Sequence, residues 1–155
     1  MTISVYRVTA VGNGEEAEIS MEISNGKEVQ QIKGTVSAAM FSEMGLPLNL
    51  RSPLLIERDR CEEILRCMKL HSAVKKGISL LGYARNTART LSHKLKMKGY
   101  PDEIAEEAVE YLKEKGYIRV DEHRNQFFIT LNELPAEGIT ANQNSDIGSG
   151  ITSNG

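Results

Sequence analysis

Hydrophobic periodicity changes once along this chain, and the change separates a β part from a helical part. Ala17, Ile19, Met21 and Ile23 recur at every second position, which places all four on one face of a strand. From Glu57 the repeat lengthens. Cys61, Ile64, Leu65 and Met68 stand at i, i+3, i+4 and i+7, the stripe of a helix. The expected fold class is α+β, mostly α, with a small N-terminal antiparallel meander ahead of the helices.

Turn chemistry supports that order. Val5, Arg7 and Thr9 alternate with Tyr6, Val8 and Ala10, and Gly12-Asn13-Gly14 reads as a turn. Asn25-Gly26 is the pair that best supplies positive φ for a two-residue hairpin turn, and Val29 to Ile32 can form a third strand. A meander this small needs something to pack against. Residues 36–45 read as a short helix ended by Gly45, and Pro47 and Pro53 mark a connection.

A further helix is expected from about Ser72 to Leu81, with Val74, Ile78 and Leu81 in register and Gly82 at its end. Thr87 is an N-cap candidate ahead of the stripe Ala88, Leu91 and Leu95. Pro101 opens the next helix, where a missing N–H costs nothing. Asp102 and Glu103 in its first turn and Lys113 and Lys115 in its last match the helix dipole. Ile104, Ala108, Val109 and Leu112 form its buried face. The strings Lys-Met-Lys-Gly-Tyr at 96–100 and Lys-Glu-Lys-Gly-Tyr at 113–117 read as one helix-ending device used twice. Residues 121–131 fit either a helix or the second strand of a β-wing. From Pro135 the chain is polar and low in large apolar residues, and disorder is expected. The organisation read from sequence is therefore 1–55 meander and short helix, 56–118 helical module, 119–134 partial helix or wing, and 135–155 tail.

Charge narrows the function. The chain carries 19 basic and 21 acidic residues, a net of −2, which argues against an overtly basic nucleic-acid binder. The average hides segregation. Residues 71–100 hold Lys75, Lys76, Arg85, Arg89, Lys94, Lys96 and Lys98 and no acid, and the next ten hold Asp102, Glu103, Glu106, Glu107 and Glu110. Local charge is what a partner feels within a Debye length of about 10 Å. On the helix after Thr87, Arg89, Ser92 and Lys96 share one face, and Lys94 and Lys98 lie on another exposed side.

Other chemistries find little support. Cys61 and Cys67 lack zinc-site spacing, and Cys67 with His71 supplies two ligands, not a site. No nucleophile elbow, phosphate loop or isolated carboxylate pair is present. Without Trp and with eight aromatics, base stacking is a weak basis for binding, and Tyr83 and Tyr100 are expected to pack at helix ends. No cofactor or metal is expected, no apolar run approaches the roughly 20 residues of a membrane span, and a cytoplasmic monomer is the default.

One resemblance is specific. Ser72-Ala73 through Leu80-Leu81, then Thr87, Leu91, Lys94-Leu95, Lys98-Gly99-Tyr100, Ile104, Ala108, Leu112 and Gly116-Tyr117-Ile118 resemble the first three-helix module of the regulatory protein RecX family. The specific part covers about 50 residues, and the β segment before it is similar to the N-terminal region of many members. Ala84 and Asn86 stand where the family motif has arginines, Thr90 where it has a capping Glu, and two further modules are absent. The resemblance implies a non-enzymatic regulator that binds the RecA protein filament, with possible contact to the DNA phosphate backbone, and inhibits by occupancy. Lys75, Lys76, Arg85, Arg89, Lys94, Lys96 and Lys98 would face RecA or its DNA. The alternative from the residues themselves is a winged-helix DNA-binding regulator, with the acidic helix before the wing counting against it.

Overall fold

The computed structural model describes residues 1–119 and 127–128. Strands β1 (Thr2–Val11), β2 (Glu16–Ser24) and β3 (Val29–Ser37) form the meander, followed by α1 (Ala38–Met44) and β4 (Leu54–Ile56). Helices α2 (Arg58–Tyr83), α3 (Ala88–Met97) and α4 (Asp102–Glu114) come next, and two-residue strands β5 (Ile118–Arg119) and β6 (Phe127–Phe128) close the described chain. The fold is α+β, with more helix than strand. The expected tail from Pro135 lies outside the described residues. The described chain divides within α2 into two compact units, one ending at Ser72 and one beginning at Ala73.

In the first unit the sheet order is β3-β2-β1-β4, with every neighbour antiparallel. Val5, Ile19, Met21 and Val36 are completely buried on one face, joined by Ile3, Val8 and Ala17. Cys61, Ile64 and Met68 of α2 cover that face and complete one hydrophobic core. This is what the meander packs against, and each large apolar side chain so buried contributes about 1.5–3 kcal/mol. The approach is close at Gly34: a Cβ there would lie 2.7 Å from the Met68 sulfur. His71 Nε2 meets Glu16 Oε2 at 2.6 Å, so the helix is also tied to β2 by a mostly buried polar pair.

Three local expectations change. The simple alternation in β1 is interrupted, because Val5 pairs with Met21 but Arg7 pairs with Ser20, leaving Tyr6 as a bulge. The extra residue is why Val5 and Val8, three apart, both reach the core. The hairpin turn is also shifted by one. Gly26 carries the positive φ of 94°, while Asn25 precedes it and its Oδ1 accepts from the Lys27 and Glu28 amides. Finally, the helix read from Glu57 and the one read from Ser72 are a single helix of 26 residues. No proline and no capping arrangement separates Met68 from Ser72, and Gly82 lies within the helix.

Cys61 is buried, and that burial, with the Glu62 carboxylate nearby, pushes its thiol above the ordinary range. Cys67 is half-exposed, and its Sγ donates to Glu63 Oε2 at 3.7 Å. A thiol reagent added to the folded protein near neutral pH is therefore expected to modify Cys67 first and Cys61 only slowly. Equal rates at the two, read by mass spectrometry, would contradict this packing.

Candidate functional site

The basic segment belongs to the second unit, so its scaffold comes first. Val74 and Leu81 of α2, Ala88, Leu91 and Leu95 of α3, and Ile104, Ala105, Ala108, Val109 and Leu112 of α4 are buried. These are the stripes that the spacing predicts. The elements meet at Gly77, where an added Cβ would fall 2.8 Å from Leu112 Cδ1 and 3.7 Å from Leu91 Cδ2. The Leu91 distance is an ordinary contact, but a Cβ would force Leu112 to shift.

Caps fix both ends of α3 and the C-terminal end of α4. Thr87 Oγ1 accepts from the Thr90 amide at 3.1 Å, and the two threonine hydroxyls lie 2.8 Å apart. At the other end Gly99 N donates to Lys96 O and Tyr100 N to Leu95 O. The same pair of bonds recurs after α4, from Gly116 N to Lys113 O and from Tyr117 N to Leu112 O. The repeated Lys-x-Lys-Gly-Tyr string is thus one Schellman ending formed twice, with Gly99 at φ 103° and Gly116 at φ 87°. Thr87→Ala is expected to cost about 1 kcal/mol, read from the shift in the urea midpoint; an unchanged midpoint would remove the cap from the account.

On this frame Lys75, Arg85, Arg89 and Lys98 are exposed, while Lys76, Lys94 and Lys96 are half-buried. Lys96 does not stand apart from the acidic helix. Its Nζ meets Glu106 Oε2 at 3.0 Å, and that hydrogen bond raises its pKa. Lys113 pairs with Glu110 at 3.6 Å within α4. The side chains of Arg89, Lys94 and Lys98 form no ion pair among the described residues.

Two residues have an unexpected setting. Tyr83 does not pack at its helix end but is 86% exposed. It follows Leu81 by two residues, about 200° around the helix and so away from the buried stripe. Asn86 is buried to 1% exposure in the α2–α3 loop, and its Nδ2 donates to Ala84 O at 3.0 Å. Met97, on the outer side of α3, is 73% exposed. Helical phase alone gives Tyr83 and Met97; nothing in the sequence gives Asn86.

Residues 73–112 match the family model described as RecX, first three-helix domain. The segment is similar to a RecX first three-helix domain, and it covers about a quarter of the chain. Its match begins at Ala73, where the second unit begins, and ends at Leu112, in the last turn of α4. No curated protein and no solved structure shows significant similarity to the chain.

Beyond the matched segment, Ile118 pairs with Phe128 and Arg119 with Phe127 in an antiparallel ladder. Of the stretch left open between helix and wing, Phe127 and Phe128 are thus strand, and the rest lies outside the described residues. No helix among the described residues is long and apolar enough to cross a membrane. Cys67 and His71 each face a carboxylate, and no group of three or more His, Cys, Asp or Glu suited to a metal ion occurs among the described residues.

Proposed function

We propose that this protein is a RecX-like regulator that binds the RecA–DNA filament and inhibits it by occupancy. The observation that carries the reading is the RecX-like segment at 73–112, which presents Arg89, Lys94 and Lys98 without ion-pair partners among the described residues. Cations held on a capped helix attract an acidic protein groove or a phosphate backbone without first having to break a pair. Lys75, Lys76 and Arg85 extend the same basic segment toward the end of α2. Lys96 has the lesser part, because contact with a partner would compete with Glu106.

The test is RecA's single-strand-DNA-dependent ATPase, titrated with this protein at excess DNA. A fall at substoichiometric protein is expected from a wedge that blocks filament growth. An unchanged rate up to a large excess would overturn the proposal.

The β5–β6 ladder favours a second reading, a winged-helix DNA-binding protein, because it places a short ribbon after three helices. The helix that would then enter the major groove is α4. Its exposed Asp102, Glu103, Glu106, Glu107 and Glu110 would face phosphates, a repulsive arrangement. The RecX reading avoids that conflict.

A further inference from the structure

The first unit carries a feature that the RecX reading does not use. Its sheet has a core face covered by α2 and an outer face. On the outer face Arg7 of β1 pairs with Ser20 of β2, and Ser20 pairs with Lys33 of β3. The three form one row across three strands. Neighbouring strands lie about 4.8 Å apart, so the Arg7 and Lys33 backbones are about 10 Å apart with the serine between them.

The Tyr6 bulge creates this row. In an unbroken ladder Tyr6 would oppose Ser20, and Arg7 would oppose Ile19, whose side chain is in the core. The extra residue moves Arg7 to the outer face opposite Ser20 and returns Val8 to the core. Bulges commonly re-aim a side chain beside a binding site. Here the re-aimed group is a guanidinium.

A cavity of about 340 Å³ opens over the row, lined by Tyr6, Arg7, Ser20, Gln31, Ile32 and Lys33. Its charged groups are both cations. Glu18 and Glu22 share the outer face on either side of Ser20, but neither lines the cavity, and neither pairs with Arg7 or Lys33 among the described residues. Ser20 is buried at 3% exposure yet lines the cavity. The lining side chains Arg7, Lys33, Ser20, Gln31 and Tyr6 all carry N–H or O–H donors, and two of them are cations. A donor set of that composition suits a tetrahedral oxyanion, to which a guanidinium can donate two hydrogen bonds.

We propose that the outer face of this sheet is a phosphate-binding site, with Arg7 and Lys33 as the charged donors and Ser20 in its lining. The phosphate belongs either to a small free ester or to a nucleic-acid backbone. The site is independent of the RecX-like segment and of its binding to RecA.

The experiment uses the full chain, labelled for amide NMR and titrated in separate arms with inorganic phosphate and with a short oligodeoxythymidine. Saturable shifts of the Arg7, Ser20 and Lys33 amides are expected. The double variant Arg7→Gln/Lys33→Gln, with both side chains on the surface, should retain the fold and weaken the affinity at least tenfold. Saturation by phosphate alone identifies a small ester as the source. Saturation by the oligonucleotide, with a salt slope smaller by about 0.7 in the variant, identifies a strand backbone. No saturable shift in either arm, or equal affinity of wild type and variant, overturns the proposal. A chain that fails to inhibit RecA yet passes this test would separate the two readings.

Discussion

Leu112→Ala is expected to destabilise the helical unit by about 3–4 kcal/mol, the range for a fully buried leucine whose cavity cannot collapse. Leu112 has no exposed surface and meets α2 at Gly77. Against a domain stability of about 5–15 kcal/mol, that loss is a large fraction. Gly77 makes the prediction sharper. Gly77→Ala gains about 1 kcal/mol of helix propensity, but its Cβ would lie 2.8 Å from Leu112 Cδ1. Overpacking of that kind costs about 1–3 kcal/mol, so the single variant is expected to be slightly destabilised. In the Leu112→Ala background the clash is gone and the new methyl fills part of the cavity. The double variant should then be more stable than Leu112→Ala alone, with a favourable coupling of about 1 kcal/mol or more. Urea unfolding of the four proteins, followed by circular dichroism, measures it. Additive effects would mean that α2 and α4 do not meet as described.

The second large effect concerns the partner. Arg89→Glu/Lys94→Glu/Lys98→Glu is expected to weaken binding to the RecA filament on the order of 100-fold or more, the scale on which opposed charge pairs act at an interface. The fold should survive, because none of the three side chains forms an ion pair among the described residues. Thr87 still caps α3, although reversing Lys94 and Lys98 removes favourable charge near its C-terminus and costs a few tenths of a kcal/mol per site. Lys96→Glu alone is the contrasting variant. It places a carboxylate against Glu106, so it perturbs the α3–α4 contact as well as the charge. Undiminished binding by the triple variant, measured as filament co-sedimentation, would remove these residues from the interface.

How much of this was legible in the sequence depends on the range of the interaction. The helix ends were legible because they are local: Thr87 caps three residues on, and Gly99 and Gly116 take the left-handed conformation that their Lys-x-Lys-Gly-Tyr setting predicts. The stripes of α3 and α4 were legible because a fixed period selects them. The Tyr6 bulge left a signal, the three-residue step from Val5 to Val8, but it is easily read through as alternation. The continuity of α2 was readable as well, since nothing in Lys69-Leu70-His71 breaks a helix. The pairs were not readable. Lys96 with Glu106, Glu16 with His71, and the Arg7–Ser20–Lys33 row depend on which elements come together, and one sequence carries no trace of that. Which of the seven cations meets the acidic helix is not written in the spacing; in the structure it is Lys96.

On the proposed reading the partner is the recombinase filament and not bare DNA. The most direct test compares binding of the full chain to preassembled RecA–single-strand filaments with binding to naked duplex of the same length, at one salt concentration. The RecX-like account predicts filament binding at least tenfold tighter than duplex binding. Duplex bound as tightly as the filament, or more tightly, would contradict it and leave DNA itself as the target.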